Sequence, residues 1–191
     1  MTKPRLFITG IPTAGKSFLA KKLAAEVGGI CVSVDDIRES LAEDERYRKW
    51  VNFYLDKNEF EYYSKSTPNE LWEDLVAQCE GLWPATLQKI SEYENEERPV
   101  IFEGVNILPH LAKRDLKIPG VVIIGKSLEE IFERNKKDPR WGETDELQRM
   151  EAEAFFNCER PHYKEEAEKY GYPVFESADE AWETAVKILK S

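Results

Sequence analysis

The stretch that decides the fold class of this chain is LFITGIPTAGKSF, residues 6–18. Its centre, Gly10 to Ser17, matches the pattern GxxxxGK[ST], in which glycines let main-chain N–H groups turn inward around phosphate oxygens. The apolar residues before this motif predict a buried strand. The amphipathic run from Lys16 to Val27 after it predicts a helix whose apolar face carries Phe18, Leu19, Leu23 and Val27. Strand, loop and helix in this order are the setting that a phosphate-binding loop requires.

This loop, called the P-loop below, predicts a site for ATP with Mg²⁺. The helix that begins near Gly15 points the positive end of its dipole at a bound anion. Lys16 adds positive charge toward the β- and γ-phosphates, which makes it a predicted catalytic residue, and the Ser17 hydroxyl ligates Mg²⁺. The residues predicted to hold the nucleotide are Gly10, Ile11, Pro12, Thr13, Ala14, Gly15, Lys16, Ser17 and Phe18.

The composition predicts one folded domain over residues 1–191, since 41% of the residues are hydrophobic and 34% are charged. A net charge of -10 disfavours a protein that wraps nucleic acid, which needs a basic surface. Three separated cysteines without a CxxC pair predict free thiols in a reducing compartment. Because no apolar run reaches the length of a membrane span, we expect a cytoplasmic protein.

Short apolar runs alternate with helical patterns, which predicts an α/β fold with buried parallel strands in βαβ units. The predicted strands cover residues 6–8, 30–34, 100–102, 121–124 and 174–175. Pro173 cannot donate a ladder hydrogen bond, so the last strand should lie at an edge of the sheet. Further helices are predicted over 126–137, 147–170 and 181–189. A capping box at Thr67–Glu70 begins another helix, which Pro84 should kink or end.

The connection between the second and third strands is long. It spans about sixty residues, more than a single crossover helix needs, so residues 40–97 are predicted to form a helical insertion. We expect this insertion to bind the substrate, because it follows the residues that are candidates for a catalytic base. A purely structural helical cap is the alternative interpretation.

Acidic residues follow two of the predicted strands, at the strand ends where parallel sheets bind ligands. Asp35 and Asp36 follow the second strand, and Glu103-Gly104 ends the third. A carboxylate here can accept the proton of a hydroxyl that attacks phosphorus, and Asp35 is the first choice over Asp36 for this catalytic role. Glu103 is expected to orient Mg²⁺ through water, as a metal residue together with Ser17, or to serve as the base itself.

Arg38 lies three residues after Asp35 on the same helical face, where it can hold an anionic group of the substrate. A solvated arginine is the alternative for Arg38, and a helix N-cap with a first-turn acid is the alternative for the aspartate pair. The predicted substrate contacts are Asp35, Asp36, Arg38, Glu103 and Gly104.

A basic segment in this acidic chain predicts a lid over about 134–144. Lids of this kind close over a triphosphate, exclude water and stabilise charge on the transferred group. Arg134 and Arg140 are the predicted catalytic residues of the lid, and Arg160 is a weaker alternative. Trp141 is expected to pack rather than to stack on adenine.

Three segments resemble the P-loop small-molecule kinases of the nucleoside-monophosphate-kinase type, and among them 2-phosphoglycerate kinase-like proteins. They are GIPTAGKS at 10–17, VSVDDIRES at 32–40 and PVIFEGVNILP at 99–109. The resemblance implies a three-layer α/β/α P-loop NTPase fold whose five-stranded parallel sheet has the order 2-3-1-4-5. It also implies substrate-binding helices after the second strand, an arginine-bearing lid, and Asp35 at the acceptor hydroxyl.

The predicted function is ATP-dependent transfer of a phosphoryl group to a hydroxyl or phosphate of a small metabolite. One alternative is a nucleic-acid 5′-hydroxyl kinase, because Asp35 and Arg38 are similar to the Asp-x-x-Arg feature of polynucleotide 5′-kinases. The other is a regulatory or switch ATPase that has no phosphoryl acceptor. The expected partner is therefore a small molecule, with nucleic acid disfavoured, no membrane, and the oligomeric state left open.

Overall fold

The computed structural model describes residues 4–190, which contain a five-stranded parallel sheet. The strands are β1 (Arg5–Gly10), β2 (Ile30–Ser33), β3 (Val100–Glu103), β4 (Gly120–Ile123) and β5 (Val174–Phe175). Their order is β2-β3-β1-β4-β5, with all neighbouring pairs parallel. This confirms the predicted order 2-3-1-4-5 and the edge position of the last strand.

Ten α-helices and two π-helical segments surround this sheet within residues 4–190. The α-helices are α1 (Lys16–Val27), α2 (Val34–Ser40), α3 (Arg48–Val51), α4 (Glu59–Lys65), α5 (Pro68–Ser91), α6 (Pro109–Leu111), α7 (Leu128–Lys137), α8 (Asp145–Glu153), α9 (Arg160–Tyr170) and α10 (Ala178–Lys190). The π-helical segments are Ala112–Leu116 and Ala154–Glu159. The second one joins α8 to α9, so the helix predicted over 147–170 is a single run with a π-helical middle.

The strand register brings the carboxyl ends of the central strands together. Ile8 of β1 lies opposite Glu103 of β3, and Ser33 of β2 lies opposite Glu103 from the other side. Gly10 at the end of β1 lies opposite Ile123 of β4. The P-loop therefore begins beside Glu103 and beside the start of α2, at the sheet edge where ligands bind in folds of this class.

The core lies on both faces of the sheet, where the side chains of β1, β3 and β4 are almost fully enclosed. Helices α1 and α10 pack against each other and against the sheet. Helix α9 packs against β4, β5 and the π-helical segment Ala154–Glu159. Buried apolar area of this kind is the main stabilising contribution to folding. None of the helices within residues 4–190 combines the length and hydropathy needed to cross a membrane.

Helix α5 continues past Pro84, so of the two predicted effects of this proline, a kink or an end, the end does not occur. Pro84 is exposed while its neighbours Trp83 and Ala85 are buried, so packing holds the helix together.

Two local predictions were wrong. Strand β2 ends at Ser33 rather than at residue 34, because the Ser33 side chain accepts the Asp36 N–H and thereby begins α2. Phe18 does not join the buried face of α1, since 62% of its surface is exposed.

Candidate active site

The P-loop holds its main chain in conformations that most residues avoid. Gly10 has φ +127°, and a Cβ atom there would lie 1.9 Å from the carbonyl oxygen of Ile123, so only glycine fits. Gly15 has φ +99° directly before α1, and Thr13 has φ +57° although it is not glycine. Left-handed turns of this kind form the anion-binding concavities that successive main-chain N–H groups create.

A cavity of about 200 Å³ lies above the loop, and we call it the phosphate cavity. Its walls are Thr13, Gly15, Lys16, Ser17, Phe18, Asp35, Glu103, Arg134, Asp138 and Arg140. Three of these side chains are cationic and three are acidic, a mixture that suits a polyphosphate bound together with Mg²⁺. The predicted nucleotide residues Ile11 and Ala14 are fully buried and do not line this cavity.

Lys16 reaches across the loop from the first turn of α1. Its Nζ donates to the carbonyl oxygen of Ile11 at 2.6 Å, and only 6% of the residue is exposed. Burial lowers the Lys16 pKa to about 8, with the nearby charge of Arg140 as the second cause. An ammonium has three N–H donors, and the hydrogen bond to Ile11 uses one of them.

Ser17 and Glu103, the residues predicted for Mg²⁺, lie in direct contact. The Ser17 hydroxyl donates to Glu103 Oε2 at 3.0 Å, and Glu103 is 4% exposed. Burial raises the pKa of Glu103, while Lys16 and the hydrogen bond from Ser17 oppose that rise. Within residues 4–190 no cluster of three or more His, Cys, Asp or Glu side chains could hold a metal ion. A hydroxyl and a carboxylate fit Mg²⁺, which usually keeps waters and substrate phosphates as its other ligands.

Asp35 and Asp36 occupy different environments although both lie in the first turn of α2. Asp35 Oδ2 accepts a hydrogen bond from Arg140 Nη2 at 3.3 Å, and its Oδ1 lies 3.7 Å from Arg38 Nη1. The side chain of Asp36 is exposed and does not line the phosphate cavity. The geometry therefore brings Asp35 to the phosphate cavity and leaves Asp36 outside it.

Both predicted lid arginines line the phosphate cavity. Arg134 of α7 donates from Nη1 to the carbonyl oxygen of Thr13 at 3.2 Å and pairs with Glu130 through Nη2. Arg140 follows α7 and carries the contact to Asp35. Arg160, the weaker alternative, donates to Gly125 and Glu176 and lies outside this cavity.

Gly104 shapes the end of β3 but does not line a cavity. A Cβ atom at Gly104 would lie 2.9 Å from Cβ of Val34, so a larger residue would push α2 away. The Thr9 hydroxyl donates to the Gly104 carbonyl oxygen at 3.0 Å, which fixes β3 against β1. The placement supports a positioning role for Gly104 instead of the predicted substrate contact.

A second cavity of about 310 Å³ adjoins the first and shares Arg140 with it, and we call it the acceptor cavity. Its walls come from the P-loop, the insertion, α8 and the π-helical segment. They are Pro12, Arg38, Glu39, Val51, Tyr54, Leu55, Tyr62, Tyr63, Leu71, Leu75, Gln78, Val105, Arg140, Trp141, Glu151, Ala154, Phe155 and Glu159. Of the predicted substrate residues, Arg38 lies in this wall.

Glu159 is a residue of the acceptor cavity that sequence reasoning missed. Its Oε2 is enclosed and has no hydrogen-bond partner among residues 4–190. Burial raises the Glu159 pKa to about 8, while Lys16 and Arg140 nearby favour the charged form. A signal for this irregular segment was available in the sequence. Pro161 lies two residues after Glu159, and a proline has no N–H to continue the hydrogen bonds of the predicted helix.

The lid and the insertion meet through aromatic side chains. The ring of Trp141 lies 6.1 Å from the rings of Tyr54 and Tyr62 and 5.8 Å from that of Tyr63. Trp141 therefore packs, as predicted. Beside these rings, Glu151 Oε1 accepts the main-chain N–H of Gly142 at 3.4 Å, which ties the lid to α8.

Neither a scan against protein-family models nor a search of curated protein sequences finds a match. Solved structures do resemble the chain. A shikimate kinase from Acinetobacter baumannii in complex with shikimate superposes with a TM-score of 0.60 at 14% identity, covering 99% of this chain and 94% of that one. The chain has a P-loop kinase fold.

Two further structures agree with this kinase fold. TT1252 from Thermus thermophilus gives a TM-score of 0.58 at 18% identity, covering 100% of this chain and 97% of that one. A gluconokinase from Sinorhizobium meliloti 1021 gives 0.50 at 16% identity, covering 99% and 93%. None of the three supports the narrower similarity to 2-phosphoglycerate kinase-like proteins. Since fold alone does not define a substrate, the acceptor must be argued from the site.

Proposed function

We propose that this protein is an ATP-dependent phosphotransferase that moves the γ-phosphate to a hydroxyl group of a small metabolite. The observation that carries the proposal is the contact between Asp35 and Arg140, because Asp35 lines the phosphate cavity and Arg140 lines both the phosphate cavity and the acceptor cavity. Phosphoryl transfer needs this arrangement, in which a base and a cation lie between donor and acceptor.

The residues of the phosphate cavity support nucleotide binding. The P-loop N–H groups, Lys16 and Arg134 would hold the phosphate oxygens, while Ser17 and Glu103 would hold Mg²⁺ with its waters. ATP with Mg²⁺ supplies the phosphoryl group and neutralises part of its charge. Phe18 lies exposed on the same wall, next to the first turn of α1, where it can shield the nucleotide from one side.

In the transfer step, the acceptor oxygen forms a bond to the γ-phosphorus while the bond from phosphorus to the β,γ-bridging oxygen breaks and ADP leaves. The hydroxyl proton passes to the Asp35 carboxylate, which acts as general base. Asp35 is bound to Arg140 at 3.3 Å, so Arg140 must turn to the phosphates before this base is free. One arginine would thus link nucleotide binding to activation of the base.

The two alternative functions are less well supported. An oligonucleotide end would have to enter a cavity of only about 310 Å³ in a protein with a net charge of -10. A switch ATPase needs no base at the phosphates, yet Asp35 lines the phosphate cavity. The cysteines at 31, 79 and 158 are free thiols, which supports the proposed cytoplasmic location.

ATP consumption with pooled small metabolites tests the proposal. We expect stimulation by a hydroxyl compound, loss of ATP binding in Lys16→Ala, and normal ATP binding with a transfer rate about 10²–10⁴-fold lower in Asp35→Asn. Asp36→Asn is the matched control. The Asp36 carboxylate is exposed and adjacent in sequence to Asp35, so this variant should retain turnover. Equal transfer rates in the two asparagine variants would refute the assignment of Asp35 as the general base. Stimulation only by oligonucleotide 5′-hydroxyls would favour the nucleic-acid kinase.

A further inference from the structure

The wall of the acceptor cavity has an unusual combination of groups for a kinase site. One part is aromatic, with Tyr54, Tyr62 and Trp141 in mutual ring contact. Another part carries the carboxyl groups of Glu151 and Glu159. Aromatic faces and carboxylates together attract flat groups and N–H donors, and they repel anions.

The two arginines of this cavity are already occupied by acids. Arg38 lies 3.7 Å from Asp35 Oδ1 and 3.9 Å from Glu39 Oε1, and Arg140 pairs with Asp35 Oδ2. During transfer Arg140 is required at the phosphates of the nucleotide. An acceptor with a carboxylate or phosphate would therefore compete for Arg38 with two carboxylates of the chain. Among the described residues that line this cavity, both arginines have an acidic partner.

Glu159 supplies a polar group that has no partner in the described part of the chain. Its Oε2 is enclosed in the wall of the acceptor cavity and accepts no hydrogen bond from residues 4–190. A buried oxygen in this state is costly, and a ligand that donates an N–H removes the cost. The charge of Glu151, whose oxygens accept from Asn135 and Gly142, is by contrast satisfied internally.

We propose that the acceptor is a small aromatic alcohol with an N–H donor, neutral or cationic, whose ring packs against Tyr54 and Trp141 and whose N–H binds Glu159. This inference rests on the proposed function and names its substrate class. It excludes sugar acids and phosphorylated acids as good acceptors. The cavity volume of about 310 Å³ lies at the lower end of the ~300–1,000 Å³ typical of ligand sites, which suits a single ring system.

Steady-state kinetics with defined probes tests this substrate class. Phenylalaninol and adenosine represent aromatic alcohols with N–H donors, shikimate and gluconate represent hydroxy acids, and ethanolamine lacks the ring. We expect kcat/KM to be at least about tenfold higher for phenylalaninol or adenosine than for either acid or for ethanolamine, since a hydrogen bond to an otherwise unpartnered buried oxygen and ring stacking each contribute about that factor. Higher kcat/KM for shikimate or gluconate would overturn the inference and leave the phosphotransferase proposal standing.

Glu159→Gln tests the proposed N–H contact without changing the shape of the side chain. We expect KM for the cationic phenylalaninol to rise about tenfold, because its ammonium stabilises the ionised form of Glu159 and glutamine cannot carry that charge, with KM for ATP changed less than about twofold. Glu165→Gln is the matched control on the same helical run, because Glu165 is exposed, and it should leave both constants unchanged. Identical acceptor KM values in the two variants would overturn the role of Glu159.

Calorimetric titration separates this inference from the proposed function if no probe is phosphorylated. Binding of phenylalaninol or adenosine that Glu159→Gln weakens would support the acceptor cavity as an aromatic amine site, while the phosphotransferase proposal would fall. Absence of binding of both probes to the unaltered protein would overturn the inference.

Discussion

Raising the pH above 8 should weaken ATP binding, because Lys16 then loses its proton. Burial lowers the Lys16 pKa to about 8, and its Nζ lies in the wall of the phosphate cavity. A bound triphosphate favours the ammonium form, so binding above this pH must include uptake of a proton. The phosphates of the ligand change little in this range, since their own last pKa is about 6.

The size of the effect follows from the pKa of Lys16. With a pKa of about 8, nearly all of the free protein carries the ammonium at pH 7 and roughly one tenth does so at pH 9. The apparent Kd for ATP should therefore rise about tenfold between these pH values, which is about 1.4 kcal/mol. Glu159 also titrates at about 8, and its charge above that pH would add to the loss. Glu159→Gln removes this second contribution, so the remaining change of the apparent Kd with pH is the part that Lys16 causes.

Isothermal titration calorimetry in two buffers with different ionisation enthalpies measures both the Kd for ATP and the number of protons taken up on binding. We expect proton uptake to approach one per ATP at pH 9 and to fall towards zero at pH 7. Lys22→Gln is the control on the same helix, because this lysine is exposed and its loss should not alter the pH profile. A constant Kd from pH 7 to pH 9, without proton uptake, would refute the placement of the Lys16 ammonium at the phosphates.

Three further predictions concern the lid, the metal site and the core. Arg140→Ala should lower kcat at least about 10³-fold in the ATP consumption assay, as loss of an arginine at a transferred phosphoryl group does, whereas the exposed Lys137→Ala should not. Glu103→Gln should weaken Mg²⁺ activation about 10–100-fold in a magnesium titration and leave metal-free nucleotide binding intact. Tyr163→Phe removes the 2.6 Å hydrogen bond to the buried Val105 carbonyl oxygen, so urea unfolding should show a loss of about 1–3 kcal/mol, which Tyr170→Phe would not reproduce.

The phosphate end of the site can be predicted from sequence because its parts are consecutive or follow strand ends. The P-loop combines strand, glycine turn and helix within one short stretch, and the conformations of Gly10 and Gly15 require the residue type that the pattern specifies. Glu103 could be placed beside Ser17 because parallel strands end at a common edge. Asp35 could be separated from Asp36 only by the structure, since both fit the first turn of a helix.

The acceptor end could not be predicted because it is assembled from distant parts of the chain. Tyr54, Trp141 and Glu159 are far apart in sequence, and no local pattern predicts that they line one cavity. The direction of Glu159 also depends on the π-helical segment that it ends, which shifts the helix register relative to a regular α-helix. A hydrophobic pattern predicts which face of a helix is buried, but it does not predict such a shift. The same pattern assigned Phe18 to the buried face of α1, whereas an apolar residue that lines a ligand site can remain exposed.

The ring contacts between Trp141 and the three tyrosines have a consequence for turnover. Each aromatic pair contributes roughly 0.5–1.5 kcal/mol beyond the area it buries, so separating Trp141 from all three partners costs about 2–4 kcal/mol. At that cost the open form makes up only a few per cent of molecules or less. Product release would then require Trp141 to separate from the three tyrosines. The frequency of this opening, and not phosphoryl transfer, would limit kcat.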